Sequence, residues 1–392
     1  MKNLILTATA LIGLCSRSAN PPQTTTTYAP TVASKAPATQ QADSFAIQTF
    51  SILATAHQDE NVAFSPAGLE AVLHLLQQGA QGSTASELAA LPMGKTGVRS
   101  AMQPAEANAL FVADNIQLQP NINPELVRKV PFSTAPDQAC KAINEWAKQH
   151  TNGLIRHIAT SLDSNTRLIA SNAIYLKEKW LHPFDEEETE SYYRFTDSKG
   201  NTCYADMMQC CAYFRYAEGK DWQAVALPYN TDEAPGEPGY FIGILPKGNV
   251  YQFAAQLSPQ QYQSIRSSLA KESSFQHLRV KLPSFRIDTG RISLNNLLQT
   301  LGVRKAFTTE ANFRGFSPEP LYLNDVSQYC VVKVDEEGTE AAAYTLADIP
   351  AWSLEPEDTK IKELIFDRPF LWIIGDLNTP APPYFMGVTC KP

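Results

Sequence analysis

Residues 336–353, EEGTEAAAYTLADIPAWS, form the most informative stretch of the sequence. Successive side chains of a β-strand point to opposite faces, so this stretch divides into two alternating sets. One face is small or apolar throughout: Thr339, Ala341, Ala343, Thr345, Ala347, Ile349 and Ala351. The other face is mixed: Glu340, Ala342, Tyr344, Leu346, Asp348, Pro350 and Trp352. The first face can therefore be buried in a sheet, while the second suits solvent.

The same stretch is a poor candidate for a permanent central strand. It contains Pro350, which cannot donate a ladder hydrogen bond, and several alanines, which are weak strand formers. The pattern therefore indicates a segment that is able to enter a β-sheet without occupying it from the start.

With this stretch and several other blocks, the sequence resembles the serpins from about Asp43 to Pro392. Residues 337–343 (EGTEAAA) look like the serpin hinge, and other blocks agree in order: 61–66 (NVAFSP), 79–84 (GAQGST), 151–155 (TNGLI), 172–175 (NAIY) through Trp180 to Pro183 and Phe184, 227–229 (LPY), 301–303 (LGV) with Ala306 and Phe307, 367–370 (DRPF) and 385–387 (FMG). The implied fold is α+β: one domain over residues 42–392, with helices packed on three β-sheets and an exposed reactive loop at about 338–362.

The resemblance implies a protease inhibitor that acts as a suicide substrate, and not an enzyme. A target serine protease, or alternatively a cysteine protease, attacks the exposed loop and forms an acyl-enzyme. The cleaved loop then enters the large sheet as an extra strand. The implied product is a covalent one-to-one complex with a monomeric inhibitor, and the resemblance implies no cofactor.

The composition of the hinge separates inhibitory from non-inhibitory members. The implied hinge residues are Glu336, Glu337, Gly338, Thr339, Glu340, Ala341, Ala342 and Ala343. Residues that turn inward must fit between strands before water deacylates the protease, and Thr339, Ala341 and Ala343 are small enough, with Gly338 as a pivot. We therefore expect inhibition. The alternatives are a non-inhibitory serpin used as a surface binding module and a surface hydrolase.

The family's hinge-to-bond spacing, counted from Glu336, implies a reactive bond between Trp352 and Ser353. A tryptophan before the bond favours chymotrypsin-like targets, which have a deep apolar specificity pocket. The stretch before Asp367 is longer than in typical members. Other cut points therefore stay open at Ala351, which would favour elastase-like enzymes, and at Leu354 and Lys360.

Four more residues match family positions around the place where the sheet opens. Ser65 and Asn172 resemble residues under the parting strands, and Trp180 resembles one near the insertion point. Gln328 stands where many serpins carry histidine. As an alternative, Ser65, Asn172 and Trp180 are ordinary cap and core residues.

The N-terminus predicts export. Residues 1–15 read as a signal peptide with a short apolar stretch, and 11–15 (LIGLC) resemble the lipobox of bacterial lipoproteins, with Cys15 as the lipidated residue. Residues 16–41, rich in Ser, Thr and Pro, predict a disordered tether. We expect an outer-membrane or cell-surface lipoprotein. The alternative is a periplasmic or secreted protein whose signal peptide is cleaved near Ser18 or Ala19.

Composition excludes several function classes. A net charge of -8 argues against binding nucleic acid, which requires clustered Lys and Arg. No apolar run reaches the roughly 20 residues of a membrane span, so a lipid is the only predicted membrane contact. The seven cysteines form no C-x-x-C pair and are expected to be buried free thiols, without a metal site. The sequence contains no G-x-S-x-G, H-E-x-x-H or phosphate-binding glycine motif, so no catalytic residues are predicted.

Local patterns predict helices first and strands later. Asp43 or Ser44 is expected to cap a first helix, Ser65 with Pro66 a second, and Thr84 with Glu87 to form a capping box before a third. Strands are predicted at 167–176, 223–227, 240–245, 331–334, 370–374 and 384–388.

Overall fold

The computed structural model describes residues 38–94, 102, 104–151, 153, 162–230, 238–339, 361–379 and 381–392, with side chains from Asp43 onward. These residues belong to one compact unit, Pro37–Pro392, which confirms the predicted single α+β domain. The predicted signal peptide, Cys15 and the tether up to residue 37 lie outside the described residues and stay predictions. Among the described helices, none has the length and apolarity that crossing a membrane requires.

Seven α-helices lie in the described part of the chain. They are α1 (Ala38–Ala56), α2 (Pro66–Gly79), α3 (Gly82–Ala89), α4 (Pro136–His150), α5 (Val250–Gln256), α6 (Pro259–Leu269) and α7 (Asn295–Thr300), with short 3-10 helices at Glu186–Glu188, Glu272–Ser274 and Lys305–Phe307. The predicted cap of α2 is confirmed, because Ser65 Oγ accepts a hydrogen bond from the Gly68 amide at 3.0 Å and Pro66 begins the helix.

The other two predicted caps are wrong. Helix α1 begins at Ala38, inside the predicted tether, and Asp43 is buried within it, paired with Arg266 at 2.8 Å. Helix α3 begins at Gly82, after Gln81, which makes no side-chain cap. Thr84 instead accepts from the Asn312 amide (2.9 Å), and Glu87 accepts from two amides of the 3-10 turn at 304–305. Tertiary partners have taken the groups that local capping would use.

The first of two strand networks has nine members. They are β1 (Val62–Phe64), β6 (Glu190–Thr196), β7 (Thr202–Glu218), β8 (Trp222–Pro228), β9 (Tyr240–Pro246), β10 (Phe275–Pro283), β15 (Lys362–Ile365), β16 (Phe370–Gly375) and β17 (Phe385–Thr389). The order is β1-β17-β16-β9-β8-β7-β10-β15, with β6 also paired to β7. Strand β15 comes after residues 340–360, which lie outside the described part of the chain, and pairs parallel with β10.

The second network has eight members and contains the candidate site. They are β2 (Ala105–Ala113), β3 (Val127–Val130), β4 (Leu168–Tyr175), β5 (Glu178–Lys179), β11 (Phe285–Asp288), β12 (Ile292–Ser293), β13 (Asp325–Val334) and β14 (Gly338–Thr339). The order is β3-β2-β4-β13-β14-β5, and β11 and β12 pair with the other edge of β13.

The sheet count differs from the predicted three. Counted by continuous hydrogen bonding, the described strands form two networks. The reason is the length of β7: over 17 residues it pairs with β6, β10 and β8 in turn and so joins strands into one network.

The predicted strands occur within a residue or two of their expected bounds, except β13. That strand begins at Asp325, six residues before the predicted start at Val331. Its first half contains Ser327 and Gln328, both fully buried, and polar residues gave no strand signal in the sequence. Their burial is possible because other side chains supply hydrogen bonds.

Helix α2 lies beneath β2 and β4 and carries a buried acid, Glu70, which is 4% exposed. Its Oε2 accepts one hydrogen bond from the Gly94 amide (3.1 Å), and within the described part of the chain Oε1 has no hydrogen-bond partner. Burial raises the pKa of Glu70 from its usual 4.5 to about 8. The folded protein therefore keeps a proton that the unfolded chain releases between these values.

By linkage, this proton stabilises the fold fully below about pH 4.5, and the stabilisation is lost as pH rises through about 8. Over this pH range the free energy of unfolding of the wild type should decline by an amount on the order of a few kcal/mol. Glu70→Gln, whose side chain can still accept from the Gly94 amide, should not show this decline. Melting curves between pH 5 and 9 should show the wild type losing more thermal stability than the variant. Parallel pH profiles would contradict this assignment.

Candidate functional site

The centre of the candidate site is a seam, defined here as the line along which β4 and β13 meet. Residues 325–331 of β13 pair in parallel with residues 169–175 of β4. Beyond Tyr175 and Val331 the two strands diverge, and the short strand β14 lies in the gap. It is antiparallel both to β13, with Val334 opposite Thr339, and to β5, with Thr339 opposite Glu178. The hinge therefore already occupies the open end of the seam.

Gly338 makes this close approach feasible. A Cβ atom at this position would lie 2.1 Å from the carbonyl oxygen of Glu178 and 2.8 Å from the Cα atom of Lys179. Both are backbone atoms of β5, which cannot rotate away as a flexible side chain can. A glycine is therefore required here by the adjacent strand.

Thr339 is docked between β5 and β13 with 1% of its surface exposed. Its Oγ1 lies 2.6 Å from the hydroxyl of Tyr229. The ring of Trp180 stacks on that of Tyr229, with centroids 4.8 Å apart and an interplanar angle of 7°. Phe184 and Phe241 pack edge-on against Trp180. The first residue of the predicted buried face thus lies in an aromatic slot with one polar contact.

A tight turn connects β13 to β14. The Asp335 amide donates to the Gly338 carbonyl (3.0 Å), and Asp335 Oδ1 accepts from the Glu337 and Gly338 amides. The indole N–H of Trp180 donates to the Asp335 carbonyl at 2.8 Å, and its backbone amide donates to Glu337 O at 2.9 Å. Trp180 therefore hydrogen-bonds to the turn and also stacks on the Tyr229 ring in the slot.

Glu336, which lies within this turn, is also fixed by hydrogen bonds. Its carbonyl accepts from the Phe184 amide (2.9 Å), and its Oε1 accepts from the Thr189 hydroxyl (2.8 Å). Glu337 is partly buried, and among the described residues its Oε2 has no hydrogen-bond partner.

Deeper in the seam, Ser65, Asn172 and Gln328 form one buried polar cluster. The Ser65 amide donates to Gln328 Oε1 (2.7 Å), while Gln328 Nε2 donates to the Ser65 carbonyl (2.8 Å) and to Asn172 Oδ1 (3.0 Å). Asn172 Nδ2 in turn donates to Asn108 Oδ1 on β2 (2.9 Å). The cluster joins the start of α2 to three adjacent strands.

The Asn172–Gln328 hydrogen bond spans the seam, because these residues are opposite each other in the β4–β13 register. Neighbouring strands lie about 4.8 Å apart, so a strand inserted between them would separate β4 from β13 by about 9.6 Å. This hydrogen bond cannot persist across that distance. Any strand that enters between β4 and β13 must therefore break the Asn172–Gln328 hydrogen bond.

The structure brings Ser65, Asn172 and Gln328 into contact and places Trp180 against the hinge turn, while the predicted role of these four residues in sheet opening stays a prediction. Sequence reasoning gave no role to Tyr229, Asn108 or Asp335. Tyr229 lies in the sequence block 227–229, but nothing in the sequence pairs it with Thr339, which is 110 positions away. The remaining predicted residues lie outside the described part of the chain: Cys15, Glu340, Ala341, Ala342, Ala343, Ala351, Trp352, Ser353, Leu354 and Lys360.

The described cysteines are free thiols, but not all are buried. Cys140, Cys330 and Cys390 are buried, Cys203 and Cys210 are half-buried, and Cys211 is exposed, which corrects the expectation for these last three. Burial raises the pKa of the Cys210 thiol to about 12, so it is protonated at neutral pH. Among the described residues, no three potential ligands converge as a metal site would require.

Comparisons with known proteins agree with this architecture. A family model described as serpin (serine protease inhibitor) matches residues 40–392. An uncharacterized serpin-like protein of Thermococcus kodakarensis is 31% identical over 86% of this chain and 82% of its own length. Plasminogen activator inhibitor 1 of Bos taurus is 28% identical over 90% and 92%. A solved thyroxine-binding globulin in complex with thyroxine superposes with a TM-score of 0.76, at 22% identity, over 90% of this chain and 99% of the other.

Proposed function

The chain belongs to the serpin family of serine protease inhibitors, and we propose that it is a suicide-substrate inhibitor of chymotrypsin-like or elastase-like serine endopeptidases. The observation that carries this proposal is the docked hinge. Thr339 already lies buried between β5 and β13, and the residues that follow alternate with small side chains on the same face.

Insertion would continue the strand that β14 begins. From Gly338 to Thr339 the chain runs antiparallel to β13, so its continuation points down the seam between β13 and β4. One parallel ladder would be replaced by two antiparallel ladders, which are slightly more stable per residue and add hydrogen bonds. This gain drives opening of the seam against the cost of breaking the Asn172–Gln328 contact.

The reaction couples cleavage to this movement. A protease serine attacks the carbonyl of Trp352, the peptide bond to Ser353 breaks, and the enzyme stays esterified to Trp352. Fourteen residues, Thr339 to Trp352, then extend over about 46 Å at roughly 3.3 Å each, which carries the protease along the sheet. Displacements of about 1 Å already impair catalytic geometry, so the acyl-enzyme is trapped before water releases it.

A direct test mixes the full chain with chymotrypsin-, elastase-, trypsin- and papain-like enzymes. Denaturing gels should show a covalent complex, and mass spectrometry should show a released peptide that begins at Ser353. Cleavage without any complex would favour the alternative, a serpin that serves as a binding module. Intrinsic turnover of a peptide substrate would favour a hydrolase.

The choice of protease is tested at the reactive bond. Because an apolar specificity pocket rejects a charged side chain, Trp352→Arg should slow inhibition of chymotrypsin by about two orders of magnitude or more and create inhibition of trypsin. Association rates with both enzymes measure this. Leu354→Arg is the matched control, two positions away. If Leu354→Arg shows the switch and Trp352→Arg does not, the reactive bond has been misassigned.

We also propose that the protein is exported and anchored at the cell surface through lipid on Cys15, with the following segment as a tether. The apolar stretch before Cys15 and the polar composition of 16–37 support this. Cys15→Ser should move the protein from the membrane fraction to the soluble fraction. An unchanged distribution would contradict lipid anchoring.

A further inference from the structure

The hydroxyl of Tyr229 is the polar floor of the slot that holds Thr339. Tyr229 has none of its surface exposed, and its hydroxyl lies 2.6 Å from Thr339 Oγ1. Burial raises the pKa of the phenol above its ordinary value, so it keeps its proton at neutral pH. The contact is therefore a hydrogen bond between two neutral groups in a dry environment, where leaving either group unpaired is costly.

Tyr229 also has contacts besides the one to Thr339. Its amide donates to the Gly239 carbonyl (2.9 Å), it forms a β-bridge with Trp180, and its ring stacks on that tryptophan. The phenol is consequently a fixed reference point on the body of the protein.

The position of Thr339 sets which residues of the loop would face the core. Thr339 lies opposite Val334 on one side and Glu178 on the other. In this register every second residue after Thr339 is small or apolar. A slip of one residue exchanges the two faces of a strand and would place Glu340 in the slot. A carboxylate buried there without a partner would be strongly unfavourable.

We propose that Tyr229 is a positioning residue that pins Thr339 before cleavage and so fixes the register in which the reactive loop enters the sheet. The proposal deepens the inhibitory function proposed above and rests on it. Because Thr339 is already paired with β13 and β5, the inserting strand extends from an existing strand. The loop therefore enters in a single register before the acyl-enzyme hydrolyses.

The test uses variants of the full chain that remove one hydroxyl each. Tyr229→Phe and Thr339→Val delete either partner with little change of shape, and the double variant deletes both. Tyr251→Phe is the matched control, because Tyr251 is also buried and donates a 2.6 Å hydrogen bond, to the Glu60 carbonyl, away from the hinge.

The first readout is hydrogen exchange without protease. An unpaired buried hydroxyl costs about 1–3 kcal/mol, so exchange of the Gly338 and Thr339 amides should rise by about 5- to 140-fold in each single variant. It should rise less in the double variant than the two single effects together, because neither hydroxyl is then left unpaired. Tyr251→Phe should leave these amides unchanged.

The second readout is the ratio of cleaved inhibitor to covalent complex. This ratio should increase in Tyr229→Phe and Thr339→Val at an unchanged rate of first cleavage. Unchanged amide exchange in Tyr229→Phe, or fully additive effects in the double variant, would overturn the role of Tyr229 while a wild-type complex kept the inhibitory function intact. No complex with the wild type would overturn the inhibitory function, and the register role with it.

Discussion

Thr339→Arg should convert the protein from an inhibitor into a substrate. Thr339 is 1% exposed, between two strands and against the Tyr229 hydroxyl, so an arginine there must either bury its guanidinium in a slot that holds a threonine or leave the slot. The penalty for burying an unpaired charge is several kcal/mol. Since 1.4 kcal/mol corresponds to a factor of ten, insertion should slow by at least about 100-fold and lose the competition with deacylation.

The expected result is rapid cleavage at the reactive bond, little or no gel-stable complex, and protease that regains full activity. Thr339→Ser is the matched control, because it keeps a small side chain and the hydroxyl, and it should still form the complex. If Thr339→Arg traps protease with wild-type yield, loop insertion through this slot is the wrong mechanism.

Gln328→Leu should destabilise the uncleaved protein more than the cleaved one. At the seam the Gln328 side chain makes two hydrogen bonds with the backbone of Ser65 and one with Asn172, and its Oε1 also accepts from Cys330 Sγ at 3.5 Å. Leucine leaves those buried groups unpaired, at about 1–3 kcal/mol for each group. After insertion the Asn172–Gln328 bond is already broken by the intervening strand, so the part of the penalty that this bond contributes should disappear.

Melting temperatures of both forms, before and after cleavage by a protease that does not form a complex, measure the difference. Gln299→Leu, which makes the same change at an exposed position of α7, should leave both melting temperatures close to the wild type. Equal losses for Gln328→Leu in the cleaved and uncleaved forms would show that the cluster does not close the seam selectively.

Much of the architecture was accessible from the sequence. The order of the family blocks was enough to predict the fold class, whereas the hinge and the sheet-opening role of Ser65, Asn172, Trp180 and Gln328 stay predictions. Capping was less predictable. Ser65 was correct because its partner, Gly68, lies three residues away, whereas Thr84 and Glu87 bind amides more than two hundred residues distant.

Strand β13 shows the same limit. Its second half follows the apolar pattern, and its first half does not, because Gln328 is a polar residue buried by partners on α2 and β4. A hydrophobic pattern identifies buried positions only when burial is apolar. Buried polar residues are satisfied by groups that the chain brings together in three dimensions.

From the sequence alone come the alternation of small side chains after Thr339 and the prediction that this face can enter a sheet, since side-chain size, charge and alternation are local properties. The tertiary structure alone decided that Thr339 is already docked, that Gly338 is required by the backbone of β5, and that Tyr229 receives the hinge. The physical reason is that a hydrogen bond or a steric contact depends on distances of a few ångströms between residues that are more than a hundred positions apart, and only folding sets those distances.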